Sequence, residues 1–411
     1  MRMTRLGALA VLSMGILCSA AAAAGNDWPG WLGANHDGKS PDKGLLKEWP
    51  ASGPKLLWKV SDIGRGYSGV AVADDLVYVT GDVDGKLTIF AYDMNGQLKW
   101  KAENGAGYTV QSNFPGSRST PTIDDGLLYL FSAVGRLGCF DAKTGQEKWF
   151  REAKEFGGKA PNWAYAESVL IYKDMAVFTP GGKNCMVALN KKTGETVWQS
   201  TGCSFPAHYG SIIPVEFEGV TMFVVGTGGG IAGFDAKTGK CLWQNTFSAN
   251  NVANCPTPAY ENGYIFWANG YGKGAICLKL KKTADGVAAE EAYKSRDMVC
   301  HHGGYIIENG YVYGNHNAGW TCLELATGKK MWFERGVGKG SLCYADGMLY
   351  LFSEQGGNAA LATCSPQGMQ ITGKVKVEGD PRINSWAHPV VIGGRLYLRY
   401  DNNLYCFDVK G

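Results

Sequence analysis

The sequence predicts an all-β fold: an eight-bladed β-propeller of four-stranded antiparallel blades, closed by an N-terminal D strand that completes the C-terminal blade. Three observations predict it. A hairpin motif recurs, seen in Cys139-Phe140-Asp141 through Gly145 to Trp149 and again in Gly233-Phe234-Asp235 through Gly239 to Trp243. Further copies end at Trp100, Trp198 and Trp332, each with a glycine four residues before the tryptophan. A self-similar unit with a period in the forties is the mark of a repeat architecture. Second, a regular turn precedes each copy, as in Asp125-Gly126, Asn262-Gly263, Asn309-Gly310, Asp346-Gly347 and Gly393-Gly394. Such pairs make tight hairpin turns because both residues tolerate positive φ. Third, an aromatic follows three residues after the turn glycine (Tyr129, Phe266, Tyr313, Tyr350, Tyr397). Each unit is therefore four strands, A to D, the size of a propeller blade.

In chain order, residues 1–24 read as a secretory signal. Arg2 and Arg5 give the charged start, residues 6–17 the apolar core and the alanines to Ala24 the cleavage zone. Leu17 before Cys18 stands where a lipidation site needs a small residue. No later stretch is apolar and long enough to span a membrane, so a periplasmic or secreted protein is expected. Residues 25–54 are irregular and aromatic and are expected to pack on the propeller. Residues 55–411 are the repeats. They open with a lone strand around Trp58, a D strand without its own A, B and C. Strands A to C begin near Gly69, Ser119, Glu167, Ser211, Pro256, Gly303, Ser341 and Ala387. The eighth set ends the chain without a D strand, and the Trp58 strand supplies it. One copy lacks its tryptophan, and Tyr293 stands in.

The composition is that of a globular chain with many tight turns: 58 glycines and 12% aromatic residues. Lys and Arg total 40 against 37 Asp and Glu. Loss of Arg2 and Arg5 with the leader leaves near-neutrality, which excludes a nucleic-acid binder that works by charge. Of 12 cysteines, one is Cys18, so the mature chain keeps an odd number and at least one stays unpaired. Cys139, Cys277, Cys322 and Cys406 share one repeat position and read as small core filler.

The repeat resembles the PQQ-binding-like β-propeller repeat family, with its tryptophan-docking motif, which is shared by quinoprotein alcohol dehydrogenases and the propeller of the Bam outer-membrane machinery. The matching stretches include Trp28-Pro29-Gly30-Trp31, His301-His302-Gly303-Gly304 and Gly394-Arg395-Leu396-Tyr397. Fold alone does not fix activity. The dehydrogenase side of the resemblance implies PQQ held with Ca²⁺ beside a vicinal Cys pair, and this sequence has no such pair.

The repeat register places the D–A and B–C loops on one face, opposite the structural turns. That face carries Arg65, Tyr67, Arg118, Trp163, Tyr165, His208, Tyr209, Asn254, His301, His302, His316, Trp386 and His388 as candidate ligand-binding residues. Five of the six histidines fall there, and concave mouths lined by aromatic and polar side chains are default binding sites. Adjacent His301 and His302 would point to opposite sides of an extended chain, so no metal site is expected. The reading favoured by these residues is a binding module, a monomer that takes a small-molecule or protein partner at this face. A quinoprotein dehydrogenase and a carbohydrate-active enzyme are the alternatives. No catalytic residue is assigned.

Overall fold

The computed structural model describes residues 27–109 and 114–411. The expected signal segment, residues 1–24, lies outside the described residues. Among the described residues no helix is long and apolar enough to cross a membrane.

Eight antiparallel sheets follow one another along the chain. Blade one runs Ala71–Ala73, Leu76–Val83, Lys86–Asp93 and Leu98–Ala106, and the later blades repeat this order. Strands A of neighbouring blades touch around the ring and line its channel. The A–B turns behave as the sequence predicts: at Asp125-Gly126, Asn262-Gly263 and Asn309-Gly310 both residues have positive φ, as a two-residue hairpin requires. The ring closes where the strand Lys55–Val60 pairs with Asn403–Asp408, with Trp58 opposite Cys406. Closure removes the exposed edge of an open array. Arg399 reinforces the seam from inside. This fully buried guanidinium donates to Ser68 Oγ (2.6 Å), Thr80 O (2.5 Å) and Gly64 O (3.1 Å) of the first blade and its entry.

The tryptophan motif holds blade to blade. A D-strand indole lies under the turn glycine of the next blade: Trp58 under Gly96, Trp100 under Gly145, Trp149 under Gly194 and Trp198 under Gly239. Any Cβ at these glycines would lie within 3.0 Å of the ring, so the glycine is required by contact as well as by φ. Each indole N–H donates to a backbone carbonyl of that next blade, at Met94, Ala142, Lys191 and Ala236. Tyr293 takes the same place under Gly328. Cys139, Cys277, Cys322 and Cys406 are fully buried at the strand-C position, as the filler reading expects.

The seventh blade breaks the pattern in a way the repeat count did not reveal. Its D strand, Ile371–Lys376, carries Gly373 opposite Leu361, the register that other blades give to tryptophan. Trp49 fills the gap from outside the repeats. Its Cβ would touch any side chain at Gly373 (2.5 Å), and its ring stands 6.0 Å from Tyr350, as Trp58 does from Tyr397.

Residues 28–40 of the N-terminal segment lie against the inner strands, and residues 45–53 run outward across the ends of blades eight and seven to the outer strand of blade seven. Trp28 exchanges backbone hydrogen bonds with Val72 (2.7 and 2.8 Å), and Pro29 O accepts from Ile123 (2.7 Å). The chain turns at Gly30–Asp37, where Trp31 donates to Thr257 Oγ1 (2.9 Å). It returns as Lys39–Ser40, which adds a parallel fifth strand to the inner strand Gly340–Ala345 of blade seven. Lys39 Nζ reaches Ile307 O and Glu308 (3.1 Å each). The segment thus bonds to inner strands of several blades because their edges offer backbone partners that a channel would otherwise leave to water.

Trp49→Ala is expected to cost about 3–5 kcal/mol, the cost of a large core truncation and the same as for Trp149→Ala, although Trp49 lies outside the repeats. Urea melts of both variants check this. A negligible loss at Trp49 would show that blade seven stands without it.

Candidate functional site

The loops of the D–A face enclose a cavity of about 190 Å³ at the channel mouth. Its floor is Trp31, the tip of the channel segment, which packs 4.6 Å from His388. One wall is the entry to blades one and two. Tyr67 donates its backbone N–H to Ser117 O (2.7 Å), which fixes its ring against Trp386 at 4.8 Å. Arg118 is clamped by the carbonyls of Gly116 and Phe114 (2.6 Å each), and its guanidinium lies over Tyr108 (4.6 Å) and Tyr67 (5.7 Å). Among the described residues no carboxylate comes within 4.0 Å of it. Burial pulls its pKa down from the ordinary value, yet a guanidinium stays charged. Trp163 and Tyr209 form the next wall, with Trp163 N–H donating to the Tyr209 hydroxyl (3.1 Å).

The opposite wall is nitrogenous. Residues 301–303 bend instead of running extended, so His301 and His302 both line the cavity, with rings 5.4 Å apart. The alternation expected of an extended chain does not apply there. The Lys339 ammonium donates to His301 Nδ1 (2.7 Å), so His301 Nε2 carries the proton and donates to the Tyr271 hydroxyl (2.9 Å). Lys339 also pairs with Glu354 (3.0 Å), and the Trp386 indole donates to the same carboxylate (2.8 Å). His388 Nε2 donates to His302 O (3.1 Å). Both ring nitrogens of His302 are buried without a partner, the nearer lying 3.9 Å from Glu354. Burial holds His301 and His388 at about 4 and His302 well below the ordinary range, with Lys339 and the neighbouring histidine adding to the effect on His302. These rings are neutral at pH 7. His301, His302 and Glu354 have donor atoms within 4.8 Å of one another and are the set that could hold a metal. The cation that sits among them is Lys339.

Eight of the thirteen candidates therefore meet in this cavity: Tyr67, Arg118, Trp163, Tyr209, His301, His302, Trp386 and His388. Five do not line it. Arg65 points toward Asp401 (4.0 Å). Tyr165 is buried, donating to Pro180 O (3.1 Å). His208 stands behind Tyr209 and accepts from Asn254 N–H (2.9 Å). Asn254 is wholly buried, tied to Asn250 and Thr227. His316 caps Val299 N–H (3.0 Å) on an outer loop. These face the same side but are spent on shaping loops. Sequence reasoning missed Trp31, Phe114, Tyr271, Cys255 and Glu354. Trp31 comes from outside the repeats and Glu354 from a B–C loop with no distinguishing motif. Cys255 has its thiol pushed up to about 12 by burial.

A family model described as "Outer membrane protein assembly factor BamB" matches residues 41–153 and 88–334. The outer membrane protein assembly factor BamB of Burkholderia pseudomallei is 27% identical over 217 residues, 51% of this chain and 52% of that protein. The tetrathionate hydrolase of Acidithiobacillus ferrooxidans is 24% identical over 381 residues, 84% of this chain and 64% of that protein. The chain thus matches between half and two thirds of the length of these relatives. A europium-containing methanol dehydrogenase shares the fold at a TM-score of 0.69 and 12% identity, over 91% of this chain and 89% of that one.

Buried ionisable groups around the cavity give stability a pH dependence with two opposite signs. His208, His301 and His388 sit at about 4 through burial, against about 6.5 unfolded. The unfolded chain then binds more protons, so stability is full above 6.5 and falls as pH drops toward 4. Glu167, beside the cavity, is pushed up to about 8 by burial. Its contribution is full below about 4.5 and is lost as pH rises toward 8. Glu167→Gln is expected to raise the melting temperature at pH 8 relative to wild type more than at pH 5, and His301→Asn to soften the fall below pH 6. Thermal melts across pH 4–8 check both signs.

Proposed function

The chain belongs to the propeller family described for outer membrane protein assembly factor BamB, and from that premise we propose that it is an exported binding protein whose channel-mouth cavity takes a small anion. The observation that carries this reading is Arg118: a partly buried guanidinium, stacked on tyrosines and held by backbone carbonyls, on which Asp82 acts through space but with no carboxylate within 4.0 Å among the described residues. Partial burial makes an unpaired charge costly, and an anionic ligand would supply a direct pair through charge-assisted hydrogen bonds. The open nitrogens of His302 offer a further donor or acceptor. Tyr67, Trp163, Trp386 and Trp31 give the apolar part of a ligand its contact surface. Tetrathionate, named as what the hydrolase relative acts on, is a small anion of this kind.

The quinone centre that the dehydrogenase resemblance implies does not fit these residues. Ca²⁺ takes six to eight oxygen ligands. Glu354 is the carboxylate on this wall, and it already holds Lys339 and the Trp386 indole. A pair of adjacent cysteines is absent from the sequence.

Tryptophan fluorescence and calorimetric titration with benzoate, tetrathionate, and PQQ with Ca²⁺ test the reading. Benzoate or tetrathionate is expected to bind, and Arg118→Gln to weaken binding at least tenfold, with Trp386→Leu as the second variant should the first misfold. Binding of PQQ with Ca²⁺ accompanied by alcohol-dependent dye reduction would replace the proposal with the dehydrogenase. No response to either anion, or undiminished binding in both variants, would overturn it.

A further inference from the structure

Three thiols converge between blades three and four, away from the cavity lining. Cys185 precedes the strand Val187–Asn190, Cys203 follows the strand Thr196–Gln199, and Cys241 opens the strand Cys241–Asn245. None occupies the strand-C position that makes other cysteines core filler. The backbone fixes their approach. Ser200 N–H donates to Met186 O (2.8 Å), and Met186 N–H donates to Ser200 Oγ (2.9 Å). Cys241 N–H donates to Thr201 O (2.8 Å). Gly202 keeps the gap narrow, since a Cβ there would stand 3.4 Å from Cys241 Cβ. The three side chains consequently pack in one cluster, Cys185 and Cys203 within it and Cys241 against it. All three are free thiols in this structure. Cys185 and Cys203 are buried and Cys241 is partly exposed.

We propose that Cys203 is the shared member of a redox-active disulfide, formed with Cys241 and exchangeable to Cys185, which fastens the loop carrying Tyr209 into the cavity wall. The chemistry is thiol–disulfide exchange with a small disulfide as oxidant. Cys241, the accessible thiol, passes its proton to the neighbouring Cys203 thiolate, attacks oxidised glutathione, forms a mixed disulfide and expels one glutathione thiolate, which takes the proton on. The Cys203 thiolate then attacks the Cys241 sulfur and expels the second. Two protein thiols are oxidised, one glutathione disulfide is reduced by two electrons, and the two protons end on the two glutathione thiols. Attack of Cys185 on Cys203 moves the bridge inward and releases Cys241, with no net electron change. Two neighbouring S–H donors stabilise Cys203 as a thiolate, the form that exchanges; they lower its pKa while those of Cys185 and Cys241 rise. From Cys203 the chain runs through Phe205 and Pro206, whose carbonyls accept from Gly182 (3.1 Å) and Gly228 (2.9 Å), to Tyr209. A bridge at Cys203 therefore tethers the near end of that loop.

The test uses the full chain, reduced, then incubated with oxidised glutathione, alkylated under denaturing conditions and mapped without reduction by mass spectrometry. Cys203 is expected linked to Cys241, or in exchanged form to Cys185; the Cys185 link alone is expected in Cys241→Ser, and no link among the three in Cys203→Ser. Hydrogen exchange of residues 204–209 is expected to slow several-fold on oxidation. Full alkylation of all three thiols in the oxidised wild type, or a Cys185–Cys241 link in Cys203→Ser, overturns the proposal. Unchanged exchange at residues 204–209 overturns the fastening role.

Discussion

The indole under the next blade's glycine is the interaction on which the rest of the molecule depends. Eight twisted sheets with small contact areas have no common core; each buries its apolar faces only against its neighbours. The tryptophan both fills the gap between outer strands and bonds to the next turn through its N–H, as at Trp58 and Met94 O (2.9 Å). That single contact sets the angle between blades, and the sum of those angles sets whether the ring closes. Where the next blade departs from the repeat, the cost is visible. Trp243 faces the extended C–D hairpin of blade five, and its N–H is buried without a partner.

The same constraint explains why the N-terminal segment is built into the ring. Blade seven has lost its tryptophan, so Trp49 must reach it from the segment that also plugs the channel. Six residues later the chain becomes the D strand of blade eight. Plug, substitute indole and closing strand are thus one continuous stretch, and none can be removed without the others losing their anchor. The Leu45 bridge to Lys410 ties that stretch to the other end of the chain.

Most of the fold was legible because it is periodic. Turn pairs, strand-B aromatics and tryptophans recur at fixed offsets, and each has a local physical cause: positive φ, cross-strand packing, the indole contact. Tyr293 was legible as a stand-in for the same reason. Trp49 was not, because nothing local distinguishes it from an irregular aromatic loop; its meaning lies in Gly373, more than three hundred residues away. The site divides likewise. Register predicts which loops share a face, and so gathers Arg118, His301, His302 and Trp386. It does not predict direction within a loop. His208 and Asn254 are on the correct side yet are spent on one another, and the bend at residues 301–303 turns two histidines inward where alternation predicts one.

The channel segment also links the cavity to closure. Trp31 is the floor of the cavity, and it is held there by Thr257 of blade five and by the hydrogen bonds that Trp28 and Pro29 make to blades one and two. The walls come from loops of blades around the whole ring, so the cavity takes shape only when the ring is closed and the plug seated. Anything that binds this cavity binds the closed state and leaves the open one untouched, and it stabilises closure by mass action. A propeller whose first and last blades meet at one strand has its weakest point at that seam. A cavity floored by the segment leading into that strand places ligand binding where it reinforces the seam most directly.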